Sequence, residues 1–393
     1  MSLLEVKNLT HSFGDKFLYK NVNFEIFKGE HIGLVGLNGT GKTTLLNSTT
    51  GKITPDSGEI KWQKNIRLGV LDQHAEVPED ITVFEYLKIA FKDLYEFEYQ
   101  LNEIYKNMAE GCSEETLNKA SDIQNLLVNR GFYEIESTIL KAADGLGITA
   151  FGTESKLRNL SGGQRAKVIL AKLLLEKPDV MLLDEPTNFL DKEHVKWLAD
   201  YLKSFSGAFV IISHDFEFLD SITSCILDID LCSIKKYSCN LSKFLSLKEI
   251  KKENYIREFK AQKKEIKKHE EYIAKNKVRA STAKMAKSRE KSLGRIERMD
   301  APQTSVNKPN FKFKSLPLFD EKALKVKNLE IGYGKPLLSN INLEIKPGEK
   351  IVITGFNGIG KSTLLKTLVG EIPKLSGEFK FSENVKTNYF EQD

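Results

Sequence analysis

The stretch Gly36-Leu-Asn-Gly39-Thr-Gly41-Lys42-Thr43 gathers three glycines, a lysine and a hydroxyl into eight residues, after an apolar run and before a helical one. Such glycines let the backbone turn so that successive N–H groups face a phosphate, and the following helix adds the positive end of its dipole. Gly36, Asn38, Gly39, Gly41, Lys42, Thr43 and Thr44 are therefore candidates for gripping the phosphates of ATP. Lys42 would neutralise β- and γ-phosphate charge, and the Thr43 hydroxyl is placed to ligate Mg²⁺. Further on, the apolar run Val180-Met-Leu-Leu ends in Asp184-Glu185. A buried strand has no packing reason to end in two acids. Asp184 would hold Mg²⁺ through water, and Glu185 would orient and polarise an attacking water as general base. His214 ends another strand-like run, Phe209–Ile212, where a side chain can touch the γ-phosphate. A strand-end histidine is more often ordinary, so this role rests on the residues around it. Leu160-Ser161-Gly162-Gly163-Gln164 opens the helical run 164–176 and makes a second anion-binding turn.

The chain also repeats itself. Leu4–Leu9 recurs at Leu324–Leu329, Val22–Ile26 at Ile341–Ile345, and Gly36–Thr43 at Gly355-Phe-Asn357-Gly358-Ile-Gly360-Lys361-Ser362, followed by Thr363. Gln73 has its counterpart at Gln392. Nearly every pair is 319 positions apart, which marks a duplicated domain. The second copy runs to Asp393 without counterparts of Asp184, Glu185 or His214, so it is expected to be the opening part of a domain.

Three kinds of element must position these residues. Short apolar, β-branched runs at Val22–Ile26, Ile32–Val35, Val180–Leu183 and Phe209–Ile212 read as strands. Helical segments after the glycine turns make the class α/β, with a mostly parallel sheet. A Glu- and Lys-rich insert from Val83 to about Gly145 reads as a helical subdomain on the edge of that core.

The third element is cationic. Between Lys248 and Arg298 stand 18 Lys/Arg and 8 Asp/Glu, whereas the remainder of the 393 residues is slightly acidic, within a net charge of +5. From Ser242 to Asp300 there is no proline and only one glycine, Gly294. Phe259, Ile266 and Ile273 recur every seven residues and give one helix an apolar seam. A second helix is expected over 281–299, with the turn at 276–280. A first helix of about thirty residues would reach about 45 Å. Lys275, Lys277, Arg279, Lys284, Lys287 and Arg289 lie near the tip, where no acid interrupts them from Tyr272 to Arg289. Basic groups on a long lever suit a phosphate backbone, although a solvated inter-domain strut would carry similar charge.

Other classes fit poorly. No run approaches the ~18 apolar residues of a membrane span, and the first residues lack the apolar core of a signal peptide. Cys112, Cys225, Cys232 and Cys239 include no CxxC pair. Reduced thiols are expected, with no metal bound through cysteine.

The order Gly36–Thr43, Gln73, Leu160–Gln164, Val180–Glu185, Asn188–Asp191, His214 resembles the Walker A, Q-loop, signature, Walker B, D-loop and switch histidine of ATP-binding-cassette (ABC) ATPases. The resemblance implies an ABC-type nucleotide-binding domain at 1–240, a basic helical-hairpin linker at 241–305 and part of a second ABC domain at 306–393. It adds Phe13 and Tyr333 as aromatics that stack on adenine, Gln73 and Gln392 as further nucleotide and Mg²⁺ contacts, and Ser362 as a second Mg²⁺ hydroxyl. Two cassettes in one chain with a basic linker are similar to the ABC-F proteins, which work on ribosomes as translation factors or as antibiotic-resistance protection proteins. Asp184-Glu-Pro-Thr-Asn-Phe-Leu-Asp191 and Tyr237-Ser-Cys-Asn-Leu-Ser-Lys-Phe244 carry that likeness, with Phe189 where many members have His and Cys239 where Gly is usual. The likeness implies a cytoplasmic ATPase whose linker reaches toward tRNA and ribosomal RNA. In such proteins each ATP is held between one P-loop and the other cassette's signature, so a homodimer through the first cassette could complete the Lys42 site. The rival reading is an ATPase subunit of a transporter, which shares the catalytic motifs but has no need of the linker.

Overall fold

The computed structural model describes residues 2–72, 77–107, 114–276, 283–295, 298–299, 321–355, 358–383 and 385–391, without the side chains at 276, 283, 284 and 286. Gln73, Gln392, Asn357, Cys112, Lys277, Arg279, the Lys284 side chain and the linker turn lie outside those described residues.

In the first copy the elements run β1 (Ser2–Phe13), β2 (Lys16–Phe27), β3 (His31–Gly36), α1 (Lys42–Thr49), β4 (Ser57–Trp62) and β5 (Leu68–Val70). The helical insert follows as α2 (Val83–Lys88), α3 (Lys92–Asn107), α4 (Glu114–Asn129) and α5 (Ile135–Gly145). Then come α6 (Gly162–Glu176), β6 (Val180–Asp184), α7 (Lys192–Ser204), β7 (Ala208–Ile212), α8 (Phe216–Ile222), β8 (Cys225–Asp230) and β9 (Ser233–Tyr237).

Six strands form one sheet in the order β5-β6-β7-β3-β8-β9, parallel except for β9. The central strands β6 and β7 are apolar from Val180 to Leu183 and from Ala208 to Ile212, as a covered parallel sheet requires. Their side chains alternate between two cores. Val180 and Leu182 of β6 join Leu4, Val6 and Ile26 in one core, while Met181 and Leu183 join the helices α5 and α6 in the other. All four are at most 1% exposed, and truncating such a side chain to alanine typically costs about 2–5 kcal/mol. The strand that ends in Asp184-Glu185 is thus fixed from both sides.

The expected run Val22–Ile26 is a strand, but not of the parallel sheet. It belongs to β2, in a separate antiparallel sheet ordered β2-β1-β4 that packs over the first core. Periodicity identifies a strand and is silent on its partner, which is why the two sheets look alike in sequence.

The linker comprises α9 (Leu241–Asn276) and α10 (Ala283–Leu293). At 36 residues α9 is about 54 Å long. Its seam residues Phe259, Ile266 and Ile273 are half-buried, with Gln262 and His269 half-buried between them. The second helix is shorter than the expected 281–299: it ends at Leu293, and the chain turns at Gly294, where Arg295 N–H bonds the Ser292 carbonyl.

The second copy contains β10 (Leu324–Tyr333), β11 (Lys335–Ile345), α11 (Lys361–Val369) and β12 (Ser376–Phe381). Its sheet, β11-β10-β12, repeats the order of β2-β1-β4. The duplication extends to backbone detail. Asn8 and Asn328 both sit in the left-handed region, at φ 48° and 46°, and each donates its N–H to an asparagine side chain on the neighbouring strand. One difference stands out: Ile351 and Ile353 are 47% and 39% exposed, whereas their counterparts Ile32 and Leu34 are buried between β7 and β8.

Candidate nucleotide site

The P-loop joins β3 to α1, and two of its glycines, Gly36 and Gly41, are closely surrounded. A Cβ on Gly36 would lie 2.8 Å from the Ile229 carbonyl oxygen on β8. Gly41 takes φ 93°, a left-handed conformation, directly against Leu18. The Lys42 ammonium bends back along the loop and donates to the carbonyls of Gly36 and Leu37, at 3.0 and 3.2 Å. Lys361 does the same in the second copy, donating to Gly355 at 2.7 Å.

Thr43, in the first turn of α1, meets Asp184 at the end of β6. The threonine hydroxyl donates to Oδ2 of Asp184 at 2.7 Å. Hard oxygens from one hydroxyl and one carboxylate suit Mg²⁺, which keeps several waters and takes its remaining ligands from substrate phosphates. The donor set therefore fits the expected ion. Ser362 stands at the matching position of α11, with no described acid partner.

Glu185, the next residue, adopts φ 47°, unusual for a side chain of its size. Its own N–H is held by the Ile212 carbonyl at 2.9 Å, and Oε2 accepts from the His214 N–H at 3.3 Å. The His214 imidazole Nε2 lies 3.5 Å from Oε1, and that oxygen is buried with no hydrogen-bond partner among the described residues. Burial pushes the Glu185 carboxyl above its ordinary pKa, and nearby Asp184 adds to this, while His214 and Lys42 pull it back. A carboxylate of raised basicity, bordering the same cleft as the P-loop, is what a water-positioning base needs.

These residues line one cleft of about 580 Å³. Phe13, Asn38, Gly39, Gly41, Lys42, Thr43, Thr44, Asp184, Glu185 and His214 all border it. Phe13 is 79% exposed, and its counterpart Tyr333 is 69% exposed. Neither ring is a core residue, so the packing alternative for these aromatics falls away. Sequence reading missed Lys16 and Leu18, which complete the cleft wall. Lys16 lies in the hairpin that carries Phe13 and recurs as Lys335, the one available signal for it.

Ser161 is elsewhere on the first cassette. It caps α6, accepting from the Gln164 N–H while the Gln164 side chain accepts from the Ser161 N–H. The helix therefore starts at Gly162, two residues before the expected Gln164. Ser161 and Gly162 are exposed, and a Cβ on Gly162 would meet nothing within 4 Å. Gly163 instead backs onto Phe189. This turn does not border the Lys42 cleft and faces outward.

A glycine loop at the end of a central parallel strand, with an Asp-Glu pair on the strand two places away, defines a P-loop ATPase. Comparison with known proteins gives its class as the ATP-binding cassette. A model of the ABC transporter family matches residues 19–188 and 338–392, and a second ABC transporter model matches 227–313. The chain belongs to this family, whose cassettes hydrolyse ATP. It is 43% identical over 396 residues to an uncharacterized ABC transporter ATP-binding protein of Bacillus subtilis, YfmM, covering all of this chain and 76% of that one. It is 34% identical over 400 residues to ABC transporter F family member 2 of Arabidopsis thaliana, covering 99% of this chain and 59% of that one. It is 32% identical over 391 residues to the energy-dependent translational throttle protein EttA of Mycobacterium tuberculosis, covering 98% of this chain and 69% of that one. The chain thus spans between three-fifths and three-quarters of the length of these relatives. Among the described residues no helix is long and apolar enough to cross a membrane.

Proposed function

We propose that this is an ABC-F protein: a cytoplasmic ATPase that acts on the ribosome, with its linker directed at tRNA and ribosomal RNA. The observation that carries this reading is the linker itself. A helix about 54 Å long springs from the cassette, and Lys275 on it and Lys287 and Arg289 on α10 are exposed near the far end. Arg289 lies 3.8 Å over the Tyr272 ring, which holds a flat cationic group ready for a phosphate or a base. Two relatives with F-family or translational-throttle names support the same direction. Whether the role is translation control or antibiotic target protection is a matter of linker-tip contacts. We read 1–240 as the first cassette, 241–305 as the linker and 306–393 as the second-cassette portion.

In the chemistry we assign to the cleft, the loop amides from Gly39 to Thr44 and the Lys42 ammonium bind the β- and γ-phosphates of ATP, and Phe13 stacks on the adenine. Thr43 and Asp184 hold Mg²⁺, which when bound offsets phosphate charge. Glu185 orients a water at the γ-phosphate and draws on its proton, and His214 keeps the Glu185 carboxylate aimed. Ser161, Gly162, Gly163 and Gln164 serve an ATP gripped by the P-loop of another cassette, either Lys361 or a second copy of the chain.

Co-sedimentation tests the assignment. The Glu185→Gln protein, with ATP, is expected to pellet with ribosomes, and without nucleotide it should stay in the supernatant. Equal recovery with and without ribosomes would overturn the reading.

A further inference from the structure

The root of the linker is tied to two elements next to the cleft: α8, which follows His214, and β8, which pairs with the strand that leads into the P-loop. His214 is followed at once by Asp215, which caps α8 by accepting from the Phe218 N–H at 3.0 Å. One and a half turns on, the Asp220 carboxylate leaves α8 to accept two bonds from Ser242 at the start of α9, from its N–H and its hydroxyl, each 2.7 Å. The second tie comes from β8. Its Ile229 is paired with Gly36 of the P-loop strand and its Asp228 with Val35. Asp228, only 6% exposed, accepts both 3.0 Å bonds from the Lys248 ammonium on α9, which also reaches Asp230 at 3.1 Å. Leu241 and Phe244 bury the first turn beside these bonds.

We propose that Asp220–Ser242 and Asp228–Lys248 transmit occupancy of the Lys42 cleft to the linker, α8 carrying the displacement of His214 and β8 that of the P-loop. The inference rests on the cleft being a nucleotide site and concerns how its state reaches α9. The geometry favours transmission over simple attachment. Attachment is already given by the apolar first turn, whereas one polar tie lands on the helix that begins two residues after His214 and the other on the strand paired with the one that leads into the P-loop. The paired, directional hydrogen bonds fix the position of α9 relative to α8 and β8, so a displacement of either element is passed to it. Ser242, Asp220 and Lys248 are positioning residues, since none of them borders the cleft.

Hydrogen exchange in the Glu185→Gln chain tests this without ribosomes. Saturating Mg-ATP should slow exchange of the amides at 243–252 by about threefold or more. In Asp220→Ala with Lys248→Met, affinity for a fluorescent ATP analogue should stay within about twofold, while the ATP effect on those amides disappears. Asp220→Glu with Lys248→Arg keeps a carboxylate and a cation at the two ties and should restore it. If the double variant lost its helical signal by circular dichroism, Asp220→Ala alone, which removes both bonds to Ser242, should at least halve the ATP effect. ATP protection that persists in the severed variants, or a root that ignores ATP in a chain shown to bind it, overturns the proposal. A chain that fails to bind the analogue at all overturns the nucleotide reading beneath it.

Discussion

The hydroxyl of Thr43 donates a 2.7 Å hydrogen bond to Oδ2 of Asp184, joining two residues 141 positions apart in the chain. One lies in the first turn of α1 and the other ends a strand buried on both faces, so neither can drift. The pair presents a fixed oxygen edge to the cleft, and Lys42 lies beside it.

That edge predicts a metal dependence. Thr43→Val or Asp184→Asn should remove most of the gain in ATP affinity that Mg²⁺ confers, about tenfold or more for a contact to a charged group. Thr43→Ser keeps the donor and should behave like the parent. Titration calorimetry with and without chelator reads this directly, and an unchanged Mg²⁺ effect in both variants would refute the assignment.

Phe13 separates binding from folding. Because the ring is largely exposed, Phe13→Ala should leave the melting temperature within about 2 °C. Loss of base stacking should still weaken nucleotide binding about fivefold or more. A large drop in melting temperature with affinity intact would return Phe13 to a structural role.

Glu185 should titrate above an ordinary glutamate, because burial disfavours its charge. The sign has a functional consequence: a base must be ionised, so hydrolysis should fall off on the acid side at a higher pH than an exposed glutamate would give. His214→Gln removes an influence that lowers the Glu185 pKa and should move the titration further up. Carbon-13 NMR of the Glu185 carboxyl follows it independently of turnover. A midpoint at or below that of exposed glutamates would contradict the burial argument.

Much of this arrangement was legible in the residues. The P-loop, Asp184-Glu185 and His214 carry chemistry that packing does not explain, and they converge on one cleft. The insert was bounded by its own helical pattern, and α2 begins at Val83 and α5 ends at Gly145 as expected. What stayed hidden depends on contacts between distant segments. Val22–Ile26 has the alternation of any half-buried strand, so nothing local assigns it to the antiparallel sheet. Lys248 is one of many lysines in a basic stretch, and only the fold shows that it is neutralised by Asp228 and Asp230. The second helix ends short of the expected 299: Arg295, Glu297 and Arg298 keep a helical composition past Gly294, while the backbone turns there.

The outward-facing signature turn predicts association. With ATP, the Glu185→Gln chain should form a dimer in which Ser161–Gln164 of one copy covers the Lys42 cleft of the other. Gly162→Arg adds bulk where there is open space, so the fold should survive and the dimer should not. Sedimentation velocity distinguishes the two; ATP-driven dimers that tolerate the arginine would place the contact elsewhere.

The central claim is that a nucleotide-driven cassette puts a cationic lever on RNA. Its most direct test is ribosome pelleting of Glu185→Gln protein with ATP, comparing the parent linker with Lys275→Gln, Lys287→Gln and Arg289→Gln combined. The account predicts unchanged ATP binding, pelleting reduced at least about tenfold, and a salt dependence shallower by up to three phosphate contacts. Equal pelleting of the two proteins across salt concentrations would contradict it.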